Sequence, residues 1–424
     1  MYLLPKPKTI KEQDGQMLLC HSTHIVMTKE VAETEMHAAK RLQEAIRQET
    51  GLILPFSVGE VREGDLSLGI AKTLPEQTYE ITIDEKGGQI SGGDGAGVLY
   101  GVETFCQIVQ QCGGILPCVQ IQDAPDMPNR GYYFDQTRGR VLKLEELKKI
   151  ADRMCRYKLN QLQLYVEHTY LFRDFSEMWR DQTPLTAEEI RELDSYCRER
   201  HIELVPSLAS FGHLCTLLST KTYGDLCEME DSWKEPFSFW NRMRYHTINI
   251  SDERSLPLIK KMIAEYMQLF SSNKFNICAD ETFCLGKYKS KKLAEERGVH
   301  RLYIDYVKEL AQFLVENGKI PMFWGDIIWN SPELMKELPE SMICLNWGYA
   351  PEQREDETRA IAQTGAVQYL CPGVCGWNQW ANLIENSYKN ITRMCNYAAK
   401  YHGIGVLNTD WGDFGHVNDP AFSV

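Results

Sequence analysis

The residues best suited to chemistry are two adjacent acids, Asp280 and Glu281, standing directly after the apolar run FNICA. Carboxylates closing an apolar strand pay desolvation unless they hold a ligand or partners. Such a site also lifts a carboxyl pKa toward the range of a general acid. The pair would otherwise cap a short helix beginning near Thr282; catalysis is the preferred reading. Other predicted strand ends carry Trp324 and Asp326, Asn346 and Trp347, Trp377, and the run Trp411-Gly412-Asp413. Four of the nine tryptophans therefore fall on one predicted rim. Indole faces stack on the C–H face of a pyranose, while carboxylates and an arginine take its hydroxyls in charge-assisted hydrogen bonds. A single large aromatic is more often core; four at equivalent strand ends point to sugar. No HxH, HExxH or GxSxG occurs, and Cys278 and Cys284 flank the acids without an adjacent histidine. No metal, cofactor or serine or thiol nucleophile is expected.

The elements that must position these groups are eight strand candidates beyond Arg130, starting at Gly131, Gln161, Glu203, Phe275, Ile320, Met342, Val367 and Ile404. Amphipathic stretches separate them, such as Leu144, Leu147, Ile150, Ala151 and Met154 at helical spacing. This alternation predicts an α/β fold, a (β/α)8 TIM barrel over residues 126–424, whose chemistry sits at the C-terminal strand ends. Residues 1–125 predict a small α+β domain, with a helix over Val31–Thr50 and strands over Leu66–Ile70 and Tyr79–Ile83. Its glycine run 92–97 fits neither GxGxxG nor GxxxxGK[ST] and reads as a turn into a packed helix rather than a phosphate cradle. The segment DAPDMPNR marks the boundary. Residues 211–253 exceed a βα connection of about 2–6 residues and are expected to fold over the barrel mouth. No helix is predicted after the last strand, so the barrel is expected to lack its last outer helix, through truncation or because another subunit, in a homodimer, covers the gap.

At 424 residues the chain exceeds one comfortable core, and 43% hydrophobic with 25% charged residues is an ordinary globular composition. Lys plus Arg at 46 against Asp plus Glu at 59 gives 46 − 59 = −13, a field that repels phosphate backbones and anionic membranes. Nucleic acid and membrane are thus not expected partners. The first residues carry no secretory signal, and fourteen scattered cysteines without a CxxC suit reduced thiols, so a cytoplasmic location is expected.

The ordered series RGYYFDQTR, KLNQLQLY, VPSLASFGH, CADE, FWGDIIW, NWGY and TDWGD resembles the barrel strands of glycoside hydrolase family 20, the β-N-acetylhexosaminidases. GAGVLYGVETFCQIV resembles the helix of the small domain that precedes that family's barrel. The resemblance implies exo-acting, retaining removal of a terminal β-linked N-acetylhexosamine, GlcNAc or GalNAc, from an oligosaccharide or glycoconjugate. The substrate's own 2-acetamido oxygen would attack, giving an oxazolinium intermediate. By motif Glu281 would be the general acid and base and Asp280 the group orienting the acetamide. Arg130 and Asp413 would bind hydroxyls, Trp324, Trp347 and Trp411 would wall the terminal-sugar pocket, and His213 would tune the acid. Where many members carry an aspartate after the second strand, this chain places His168 with Glu167 beside it. The tyrosine contacting the acetamide is Tyr369 or Tyr349, and Trp377 and Asn378 look placed for the pocket. Two alternatives stand beside this reading: a sugar-binding protein on a decayed barrel, and a retaining glycosidase using Asp326 or Asp413 as nucleophile.

Overall fold

The structure, a computed structural model, describes residues 1–413. By internal contacts the chain forms one unit of Met1–Pro128 with Ala151–Asn160 and Tyr196–Ile202. The second unit comprises Asn129–Ile150, Gln161–Ser195 and the chain from Glu203 onward.

The first unit carries strands β1 (Thr9–Leu18), β2 (Ile25–Met27), β3 (Phe56–Val58), β4 (Leu66–Ile70), β5 (Tyr79–Asp84), β6 (Gly87–Gly92) and β7 (Ile115–Asp123). They form one sheet in the order β1-β7-β5-β6-β4-β2-β3. β5 alternates buried and half-buried residues, the pattern of a sheet with one face packed. The glycine run leads into the helix Gly95–Cys112, whose Asp94 cap accepts the Gly97 N–H at 2.8 Å. The expected helix over Val31–Thr50 is two, Lys29–Thr34 and Met36–Thr50, because Glu35 leaves helical geometry at φ −120°.

The second unit is the expected barrel. Strands β8 (Asn129–Asp135), β9 (Gln161–Val166), β10 (Glu203–Leu208), β11 (Lys274–Asn276), β12 (Ile320–Trp324), β13 (Ile343–Trp347), β14 (Val367–Cys371) and β15 (Gly405–Asp410) close in sequence order. All are parallel, and β15 pairs back onto β8 from Gly405 opposite Asn129 to Asp410 opposite Phe134. All six residues of β9 are buried, as expected for a strand covered on both faces. β11 is shorter than its apolar run: Cys278 and Ala279 have φ of 57° and 64°, so the chain leaves the sheet before reaching the acids. The position of the eighth outer helix lies outside the described residues.

Candidate active site

The strand that delivers the acids breaks off by design of its local hydrogen bonds. Asn276 Oδ1 accepts the Cys278 N–H at 2.9 Å, and Glu281 itself sits at φ 48°. Left-handed backbone at three non-glycine residues within four positions is strain of about 1–3 kcal/mol each, held only because the surroundings over-determine it. From β10 the run Phe211-Gly212-His213 passes so close that a Cβ on Gly212 would lie 2.5 Å from the Asp280 carbonyl oxygen. This proximity sets His213 Nε2 3.4 Å from Asp280 Oδ2 and 3.3 Å from Glu281 Oε2. Burial alone would hold the imidazole neutral, but the two carboxylates outweigh it and lift the pKa to about 10. His213 Nδ1 is buried without a hydrogen-bond partner.

Arg138, three residues past β8, points into the pocket. Asp135 Oδ1 accepts the Thr137 and Arg138 N–H groups, while its Oδ2 accepts Arg138 Nε at 2.8 Å and the Gly412 N–H at 2.9 Å. Arg138 Nη1 lies 2.9 Å from Asp413 Oδ1. One buried carboxylate thus fixes both an arginine and the turn after β15. A Cβ at Gly412 would meet the Arg138 carbonyl oxygen at 1.8 Å, so that turn needs glycine. Arg130, expected to bind hydroxyls, does not reach the site. It is the second residue of β8, in register with Val406 near the start of β15, at the face opposite the acids. The motif RGYYFDQTR contains two arginines, and the length of the strand makes the later one the pocket residue.

The four rim tryptophans do converge. Trp324 packs edge-on against Tyr133 at 5.0 Å and beside Trp411 at 5.8 Å. The Arg138 guanidinium lies 5.0 Å over the Trp411 ring. Trp347 stacks on Tyr349 at 5.1 Å and 22°, and Trp377 meets Tyr349 edge-on at 4.9 Å. Together with His213, Asp280, Glu281, Arg138, Asp413 and Met243 these rings line one pocket. Tyr349 is the tyrosine in the pocket, its hydroxyl accepting the Trp411 Nε1–H at 2.8 Å. Tyr369 is not: it pairs with Gly405, the first residue of β15, and its hydroxyl meets Gln161, the first residue of β9. Asn378 is exposed with φ 62° and contributes no wall.

Glu167 and His168 sit behind the lining rather than in it. Glu167 Oε2 accepts Arg242 Nη2 at 2.7 Å, its Oε1 accepts the Tyr165 hydroxyl at 2.9 Å, and Arg138 Nε lies 4.0 Å away. Burial pushes this carboxyl up, yet Arg242 and Arg138 outweigh it and hold the pKa near 2. His168 is kept below its ordinary value by burial, and its Nδ1 lies 3.2 Å from Thr216 Oγ1. Arg242 belongs to the short helix Phe239–Arg244 within the long insertion, and its neighbour Met243 reaches the pocket and Arg138 at 3.1 Å. The insertion therefore does contribute to the mouth, as its length implies. Arg242 and Met243 lie on no motif, whereas Arg138 closes RGYYFDQTR and was passed over for Arg130; a charged residue a few positions past a predicted strand end was the available signal for it.

Two further carboxylates complete the electrostatics. Asp326 Oδ2 accepts the Glu281 N–H at 3.1 Å, while Oδ1 has no partner. Burial and, after it, the nearby Asp280 charge push Asp326 up to about 8. Asp413 is raised by burial and drawn back by Arg138. Asp326 thus meets the Glu281 backbone and Asp413 the Arg138 guanidinium. Among the described residues no cluster of His, Cys, Asp or Glu has the arrangement of a metal site.

An acid pair at the C-terminal end of a (β/α)8 barrel, in a pocket walled by indoles and floored by a buried arginine, has the make-up expected of a glycoside hydrolase. The match to family models makes the class particular: residues 128–410 match the glycosyl hydrolase family 20 catalytic domain and residues 1–124 match domain 2 of the same family. The chain belongs to glycosyl hydrolase family 20. It is 24% identical over 411 residues to a beta-hexosaminidase of Porphyromonas gingivalis, covering 88% of this chain and 50% of that protein. To a beta-hexosaminidase of Vibrio furnissii it is 26% identical over 310 residues, 66% of this chain and 48% of that one. The chain thus spans about half the length of these relatives. Among solved structures, the N-acetyl-beta-hexosaminidase of Streptomyces plicatus superposes with TM-score 0.80 at 18% identity, covering 99% of this chain and 86% of that chain. The exo beta-N-acetylglucosaminidase of Vibrio harveyi, solved with N-acetylglucosamine, gives TM-score 0.79 at 18% identity, covering 99% and 70%. At such identities the likeness is one of fold.

Proposed function

We propose that this enzyme is an exo-acting, retaining β-N-acetylhexosaminidase that removes a terminal GlcNAc or GalNAc by substrate-assisted catalysis. The observation that carries the reading is the adjacency of Asp280 and Glu281, both within 3.4 Å of the buried His213, in a pocket whose further lining carboxylate, Asp413, is paired with Arg138. A double displacement on the enzyme needs two carboxyl groups about 5–5.5 Å apart on opposite sides of the sugar. Here both acids meet the same histidine nitrogen, Nε2 of His213. The nucleophile is then the substrate's acetamide oxygen, which attacks the anomeric carbon as Glu281 gives its proton to the glycosidic oxygen. Asp280 accepts the acetamide N–H and stabilises the positive charge growing on that nitrogen. Water, deprotonated by Glu281, then opens the oxazolinium with retention. Arg138 and Asp413 hold ring hydroxyls, and Trp324, Trp347, Trp377 and Trp411 enclose the sugar.

Glu281→Gln lowers kcat on an aryl N-acetyl-β-hexosaminide by on the order of 10² to 10⁴, and Asp280→Asn does so comparably. Wild-type rates in the Gln variant sink the assignment. Full wild-type activity on an analogue lacking the 2-acetamido group would mean an enzyme nucleophile instead. Tight binding of a thiazoline mimic without hydrolysis of any hexosaminide would mean a sugar-binding protein. The location proposed is a reducing, cytoplasmic compartment, supported by fourteen free cysteines, and a disulfide found by mass spectrometry in the native protein overturns it. The oligomer proposed is a homodimer, tested by sedimentation velocity.

A further inference from the structure

Two groups of large aromatic side chains stand in solvent on the segments that leave the barrel's C-terminal strand ends. One comprises Trp233, Phe237 and Trp240 of the insertion after β10, with Phe283 and Tyr288 of the segment after the acids; Phe237 is 80% exposed and Trp240 57%. The other is Trp380, fully exposed three residues beyond the pocket-lining Trp377. Large aromatics gathered in water at one place mark a surface that meets a ligand.

Two members of the first group, Trp240 and Phe283, are tied to residues that line the pocket. Trp240 shares the helix Phe239–Arg244 with Met243, which lines the pocket, and with Arg242, which ties the helix to Glu167. Cys284 Sγ meets the Arg244 carbonyl oxygen at 2.9 Å, joining the two segments, and Tyr288 lies in the field of Tyr245 and Glu235. Phe283 follows Glu281 by two residues and donates its N–H to the Glu281 carbonyl oxygen at 2.7 Å. The Arg244 guanidinium covers Trp240 at 5.1 Å, restraining the ring.

Chemistry chooses between the two groups. A general acid gives its proton to the glycosidic oxygen, so the leaving group begins within a hydrogen bond of the Glu281 carboxyl. The insertion follows β10 and Glu281 follows β11, adjacent strands, whereas Trp380 follows β14, three strands around the barrel from β11. We propose that Trp240, Phe237 and Phe283 form a stacking platform for the leaving group, and that the substrate is a β-linked oligosaccharide with at least two pyranose rings beyond the scissile bond. The proposal rests on Glu281 as the acid. Successive rings of a neutral glycan present the flat C–H faces that exposed aromatics stack on without needing a charged partner.

The test compares kcat/KM on tri-N-acetylchitotriose with that on methyl N-acetyl-β-glucosaminide. Trp240→Ala and Phe237→Ala each lower the ratio about tenfold, the scale of one lost stacking contact, and Trp380→Ala does not. An unchanged ratio in the Trp240 and Phe237 variants, or a loss confined to Trp380→Ala, overturns the platform. If the wild-type protein hydrolyses neither substrate, the reading of Glu281 has failed and calorimetry with the trisaccharide judges the platform alone. In that case a lower affinity in Trp240→Ala supports it, and no binding, or unaltered affinity, overturns it.

Discussion

Arg138 offers the most discriminating test of how the pocket is built. Its guanidinium is 5% exposed and faces Asp135 and Glu167, 1% and 3% exposed, as well as Asp413. Removing the charge altogether strands these carboxylates, a loss of about 3–5 kcal/mol against a total stability of roughly 5–15. Such a variant would report on folding. Arg138→Lys keeps the charge but replaces a fork that reaches Asp135 and Asp413 together by a single point donor. One charge-assisted hydrogen bond to the sugar is then lost or misdirected, about 1.5–3 kcal/mol, or roughly 10- to 150-fold in kcat/KM. The measurement is kcat/KM on an aryl N-acetyl-β-glucosaminide together with the melting temperature, with Arg130→Lys as the parallel variant. A folded Arg138→Lys protein with wild-type kcat/KM, or an equal loss in Arg130→Lys, refutes the placement of Arg138 against the substrate.

Two other outcomes follow from the site's buried groups. Asp326, raised from 3.8 to about 8, keeps in the folded protein a proton that the unfolded chain releases, so its contribution to stability falls as pH rises from about 4 to 8. Asp326→Asn, which can still accept the Glu281 N–H, should gain melting temperature over wild type between pH 5 and pH 8; a difference constant with pH counts against it. Tyr349→Phe leaves the buried Trp411 Nε1–H without the acceptor it holds at 2.8 Å, a cost of about 1–3 kcal/mol visible in thermal denaturation. An unmoved melting temperature would mean that this hydrogen bond does not brace the wall.

The order of the elements and the identity of the acids were legible in the chain itself, because both are written in local pattern. Apolar runs of strand length recur between amphipathic stretches, and a pair of acids at the end of one such run has no local reason to be there. The indoles were legible for the same reason: Trp324, Trp347 and Trp411 stand at the ends of their strands, and Trp377 follows β14 in the loop beyond it. What local pattern could not decide was depth. Arg130 and Arg138 lie on one motif, and Tyr349 just past β13 and Tyr369 within β14, yet only one of each reaches the pocket. Which one does depends on the register with which neighbouring strands close the barrel: β15 sets Arg130 at its lower end, and Gly405 does the same for Tyr369. Met243 and Arg242 were beyond reach for a related reason, since an insertion's place over the mouth is fixed by an ion pair to Glu167, seventy-five positions away in the chain. The pKa values belong wholly to the tertiary structure. Burial and charge act through space, so the upward shifts of His213 and Asp326 arise only when the fold buries them beside Asp280 and Glu281.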